Sequence, residues 1–127
     1  MPNIIGVGNN AQNFQGCTSL TTVIAPRLEV VPTYFLYELP NLKNVDLSGA
    51  TELKESAIRG CPNLEHLSLP SCTNIMNGGL SWNPSLSRLE VPLIDKATVQ
   101  EKAYNTWWVR YSGCVIVCKD GEEYVIP

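Results

Sequence analysis

The chain has 127 residues, 44% hydrophobic and 17% charged, which is the composition of one ordered domain with a modest core. It is too short to join a catalytic domain to a cofactor domain. Its nine basic and twelve acidic residues leave a net charge of −3 with no basic run. Nucleic acid and anionic membrane both need a clustered positive field and are not expected partners. The longest uncharged stretch, Pro2 to Pro26, is broken by Asn, Gln, Thr and Gly, so no membrane span is expected. Met1-Pro2-Asn3-Ile4 has neither the basic start nor the apolar run of a secretory signal.

From Phe14 onward the sequence repeats itself every 22 residues. The clearest column is Leu20, Leu42, Leu64 and Leu86. Three residues later come Val23, Val45, Leu67 and Leu89, and two further on Ala25, Leu47, Leu69 and Val91. Phe14, Leu36, Ile58 and Leu80 lie six before each Leu; Cys17, Leu39, Cys61 and Asn83 lie three before it. Val31, Leu53, Ile75 and Ala97 lie eleven after it.

The apolar residues alternate with period two near 22–25, 44–47, 66–69 and 88–91, which predicts a short strand with one buried face in each unit. Pro26, Pro70 and Pro92 follow three of these strands and end the ladder, with Ser48 the exception. Glu52 to Gly60 reads as a helical turn with Leu53, Ala57 and Ile58 inward and Gly60 closing it. One such unit cannot bury its apolar side, so the units must stack. The expected architecture is an α/β repeat solenoid of about four 22-residue turns with a parallel sheet along one side.

Residues 1–94 then form the repeats and 95–127 a C-terminal cap. Thr98-Val99-Gln100-Glu101 has capping-box form and starts a helix running to about Trp107. Cys114–Cys118 and Glu122–Ile126 read as two strands of a hairpin around Asp120-Gly121. Trp107, Trp108, Tyr111 and Tyr124 supply bulk to close the core. At the other end only Ile4, Ile5 and Val7 offer cover. Such thin cover implies a piece of a longer array, or stacking through that end.

No cofactor motif is present: Gly78-Gly79 and Gly6-Val7-Gly8 read as turns, and no Cys or His spacing suits zinc. Cys17 and Cys61 are two rungs apart, about 9.5 Å, beyond the roughly 7 Å Cα limit for a disulfide. The five cysteines are expected as buried free thiols. The outward strand positions form two columns, Thr22, Asn44, His66, Arg88 and Ile24, Asp46, Ser68, Glu90. Asp46, His66 and Ser68 invite comparison with a hydrolase triad. Ser68 and His66 are about 6.6 Å apart on one strand, however, and no glycine nest or nucleophile elbow supplies an oxyanion site. No enzymatic activity and no catalytic or metal residue is expected. The polar face, Thr22, Asn44, Asp46, His66, Ser68, Arg88 and Glu90, is the candidate ligand-binding surface; Trp82 is expected to pack beneath the adjacent turn or else to serve as a secondary contact.

Leu64-x-x-Leu67-x-Leu69-x-x-Cys72 matches the leucine-rich-repeat template. With the Pro after the strand and the phrase Phe14-Gln15-Gly16-Cys17-Thr18-Ser19-Leu20, the chain resembles the BspA-like leucine-rich repeats of bacterial surface proteins over roughly residues 7 to 108. It departs at Asn83, where Cys is usual, and in Val7 to Phe14, two residues longer than the family spacing. The resemblance implies a right-handed solenoid, a cell-surface or secreted setting, and adhesion through a protein or glycan ligand such as a host or matrix protein. The alternative is a structural spacer within a larger surface protein.

Overall fold

The computed structural model describes residues 4–6, 14, 16–103, 105–106, 108–109 and 113–127, of which 4–6 are described as backbone only. Each turn of the chain traces up to three short strands. The front strands are β2 (Thr22–Ile24), β5 (Asn44–Asp46), β8 (His66–Ser68) and β10 (Arg88–Glu90), with β1 (Ile4–Gly6) ahead of them. A second side carries β3 (Val30–Val31), β6 (Glu52–Leu53) and β9 (Asn74–Ile75); a third carries β4 (Leu36–Tyr37) and β7 (Ile58–Arg59). Three turns are traced in this way, and the fourth front strand runs directly into the cap.

The 22-residue period of the sequence is the strand register. Thr22 lies opposite Asn44, Val30 opposite Glu52, Leu36 opposite Ile58, and His66 opposite Arg88, all in parallel pairing. Every predicted inward column of the repeats is buried, from Leu20, Leu42, Leu64 and Leu86 to Val31, Leu53 and Ile75, except for Val45, which is half-buried, and Ala97, which falls in the cap and is exposed. Side chains also staple successive turns: the Asn41 and Asn63 amides donate to the Thr18 and Pro40 carbonyls at 2.7 and 2.8 Å. The Thr51 and Ser87 hydroxyls donate to Glu29 O and Glu65 O at 3.1 and 3.2 Å. At Gly49 the turns come so close that a Cβ would stand 2.2 Å from the Pro26 carbonyl oxygen.

The helical turn expected over Glu52 to Gly60 is not formed. Leu53, Ala57 and Ile58 do face the core, but from strands β6 and β7. Left-handed corners explain the difference. Ser56 has φ 53° and Gly60 φ 74°, and each conformation ends a right-handed helix. Both corners recur at the repeat period, at Tyr34, Ser56 and Gly78, and at Gly16, Glu38, Gly60 and Trp82. Pairing with the turn on either side therefore overrides a local helical pattern.

The capping helix starts before Thr98 and ends at Lys102, short of the Trp107 its sequence suggests. Helix α1 spans Lys96–Lys102, and its N-cap is Asp95, whose carboxylate accepts the Thr98 N–H at 2.7 Å. That bond holds the Asp95 carboxyl below the usual carboxylate range. Thr98 is thus the N3 residue, and Asp at N-cap is the better acceptor of the two. β11 (Val115–Val117) extends the front sheet in parallel with β10, and β12 (Glu123–Val125) returns antiparallel to it. The connection is the 3₁₀ turn Lys119–Gly121. Trp108 is buried and Tyr124 packs partly against the core, while the predicted contributions of Trp107, Tyr111 and the Val7 to Asn13 segment lie outside the described residues.

Asn83 takes the place of a column cysteine without leaving a polar group unpaired. Its amide donates to the Ile58 and Leu80 carbonyls, both at 2.9 Å, and its Oδ1 accepts the Cys61 N–H at 3.1 Å. One turn earlier, the Cys61 thiol reaches the Leu36 carbonyl across the same 25-residue interval, at 3.7 Å. Asn83→Ala would orphan three buried backbone groups, so we expect a loss of about 2–4 kcal/mol in urea unfolding. Asn83→Leu should be no better, since added volume does not satisfy those groups.

All five cysteines are buried and unbonded. Burial pushes Cys61, Cys72 and Cys114 up to about 11. A folded value above the unfolded one (about 8.5) favours the fold fully below that unfolded value, and the advantage is lost as pH rises from there through 11. Unfolding midpoints should accordingly fall between pH 9 and 11. Intact-mass analysis after iodoacetamide at pH 8 should show no adduct on the native protein and five once it is unfolded.

Candidate functional site

The seven outward side chains named from sequence converge on one concavity of ≈ 690 Å³ on the front of the solenoid. Strand alternation places them: Val23, Leu67 and Leu89 point inward, so their neighbours on each strand must point out. Asn44, Asp46, His66 and Ser68 are exposed; Thr22, Arg88 and Glu90 are half-buried. Thr22 stands beside Asn44, His66 beside Arg88, and Ser68 beside Glu90. Arg88 Nε lies 3.3 Å from Glu90 Oε1, an exposed pair worth about 0–1 kcal/mol.

The front sheet is not continuous. β1, β2 and β5 form one ladder, and β8, β10, β11 and β12 another. Ala25, Leu69 and Val91 each donate their N–H to the next rung, to Asp46 O, Glu90 O and Val117 O at 2.8 Å. The equivalent Leu47 N–H meets no such acceptor among the described residues. The seam is bracketed instead by two side-chain bonds, Asn63 to Pro40 O and Ser71 Oγ to Ser48 O, both 2.8 Å. The second side remains paired through the same turns, Val30 to Glu52 to Asn74. The parting explains why Val45 alone of its column is only partly buried.

Seven further residues border this concavity: the polar Lys43, Asn63 and Glu65, and the apolar Val23, Ile24, Val45 and Leu67. Lys43 and Glu65 occupy the position just before each front strand, a column that carries no periodic pattern in the sequence. The column of Val45 predicts a core residue, because the parting of the sheet leaves no mark on residue type. Two positive side chains, three carboxylates and one imidazole thus share the surface with amide and hydroxyl groups.

The geometry does not assemble a hydrolase triad. Asp46 Oδ1 accepts the Ser48 N–H at 3.0 Å, and no hydrogen bond links Asp46, His66 and Ser68 among the described residues. Also among those residues, no group of three metal-ligating side chains comes together. No helix among them is long and apolar enough to cross a membrane.

Trp82, the secondary candidate, does not pack beneath the adjacent turn. It is 40% exposed at a left-handed corner with φ 63°, and Arg59 lies over its ring at 5.7 Å. An L-residue in that conformation costs about 1–2 kcal/mol, whereas an exposed cation–π contact contributes about 0.5–1 kcal/mol. In the same column Gly16 and Gly60 avoid that backbone cost, while Glu38 shares it.

A family profile described as BspA type Leucine rich repeat region matches residues 3–106 in six copies. No curated protein and no solved structure matches the chain. The profile spans most of the sequence. The chain therefore belongs to the BspA-type leucine-rich-repeat family.

Proposed function

We propose that this protein is a non-enzymatic interaction module that binds a protein ligand through the front face of its sheet, as part of a bacterial surface or secreted protein. One observation carries the proposal: the open seam between β5 and β8 lies inside the concavity lined by the seven mixed polar and charged side chains. A spacer gains nothing from unpaired backbone in the middle of its face, and closing the ladder would stabilise it. A ligand surface does gain, because the exposed backbone groups and Val45 are held open in advance, and ordering them costs little on binding. The charges are of both signs and interspersed, which suits a protein surface better than a polyanion.

Two experiments test this. Binding of the protein to a panel of immobilised matrix proteins should be detectable and should weaken tenfold or more, about 1.4 kcal/mol, in Asp46→Lys and in Arg88→Glu. Binding that survives both reversals would place the site elsewhere, and no retention on any matrix protein would leave the spacer function. Protease shaving of intact source cells should release fragments that react with an antibody to this region. Full protection of the protein inside the cells would remove the surface setting.

A further inference from the structure

A second depression, of ≈ 560 Å³, lies where the third turn meets the cap and away from the front sheet. Trp82 forms its aromatic wall, with Arg59, Asn77, Ser81, Asn105 and Thr106 around it. The two sides are tied together by the Gly78 N–H, which donates to Thr106 O at 2.7 Å. The volume falls within the roughly 300–1,000 Å³ range of small-ligand sites.

The polar groups of this rim are already aimed. The Asn105 amide donates to Glu101 O at 2.8 Å, the Thr106 hydroxyl to Lys102 O at 2.6 Å, and the Ser81 hydroxyl to Gly78 O at 2.9 Å. The hydroxyl donors are spent on the backbone and Ser81 is buried, so at the rim the Thr106 oxygen and the Asn105 carbonyl are left to accept and the second Asn105 N–H to donate. Arg59 and Asn77 supply donors. Glu55, also on the rim, balances the single guanidinium charge. The indole is held by Arg59 at a corner where glycine would be unstrained, so the bulk at Trp82 is not explained by the backbone.

We propose that this depression is a binding site for an uncharged oligosaccharide, with one pyranose ring stacked on the Trp82 indole face opposite Arg59. A pyranose has an apolar C–H face, which an indole matches, and a ring of hydroxyls that each donate and accept. Preset acceptors on one side and donors on the other answer that pattern. A nucleotide is disfavoured by the single Arg and the nearby carboxylate, and an organic cation by like-charge repulsion from Arg59. This site does not depend on the front face.

The test is saturation-transfer NMR on the whole protein with cellobiose, N,N′-diacetylchitobiose, lactose and maltose as probes. At least one sugar should receive saturation, strongest on the ring protons of one face. Trp82→Gly should reduce that transfer at least tenfold without lowering the melting temperature, because glycine suits the corner. Asn77→Ala, on the exposed rim, should weaken binding about fivefold with the melting temperature unchanged. Arg88→Glu on the front face should leave the signals intact. Absence of transfer to all four sugars would overturn the proposal. So would full transfer in both rim variants, or its loss in Arg88→Glu. If Trp82→Gly melts earlier than the wild type, the indole is a packing residue, and full binding by Asn77→Ala then removes the site.

Discussion

The strands of each turn meet their backbone partners on the adjacent turn, and the rest of the structure follows from that constraint. Pairing at a fixed offset of 22 residues requires every turn to bend at equivalent places. The left-handed corners at Tyr34, Ser56 and Gly78, and at Gly16, Glu38, Gly60 and Trp82, are the result. A corner shifted by one residue would turn the following strand over and send its inward Val or Leu to solvent. Strained non-glycine residues persist at some corners because the turns above and below leave no other path. Stability in such an array is close to a sum of nearest-neighbour contacts, and local weak points stay local.

That locality bears on the front seam. The second side is paired through all three turns, so β5 and β8 can part at the front without separating the turns. Asn63 and Ser71 hold the two edges from outside the strands, where they leave the face between them clear. A hydrogen bond is worth about 0.5–1.5 kcal/mol net, and two stapling bonds recover a part of what the missing ladder forgoes. Val45 becomes a shallow apolar floor among charged and amide groups, a combination more useful to a protein partner than a closed polar sheet.

Legibility in the sequence divides along the same physical line. The inward columns were readable because burial selects residue type: every Leu of the 20, 42, 64, 86 column is in the core. The polar columns were readable because alternation follows from burial, and Thr22 to Glu90 do share one surface. The corners were not readable, since Tyr34, Ser56, Glu38 and Trp82 are ordinary residues forced into a conformation that only Gly16, Gly60 and Gly78 announce. Glu52 to Gly60 consequently passed for a helix. In the cap, the S/T-x-x-E pattern at Thr98 hides the single Asp95, whose carboxylate caps the helix one turn earlier by accepting the Thr98 N–H. The seam was invisible for another reason: it is a missing interaction between turns, and no residue type encodes a bond that is not made.

Asn83 shows how far chemistry can change at one place in such a frame. Its column otherwise holds Cys17, Leu39 and Cys61, all apolar or weakly polar and all buried. An amide there is tolerated because the last free turn offers it three partners, the Ile58 and Leu80 carbonyls and the Cys61 N–H. Placed one turn earlier, it would stand where Cys61 makes its weak thiol contact to Leu36 O, in a stack whose neighbour in the column is Leu39. The position of the amide is therefore tied to the end of the repeats, where the chain leaves the solenoid for the cap. The same junction brings Asn105 and Thr106 against the Trp82 corner. A buried, fully bonded side chain beneath an exposed aromatic one keeps that corner rigid, and rigidity at the junction lets the cap and the third turn present a single surface.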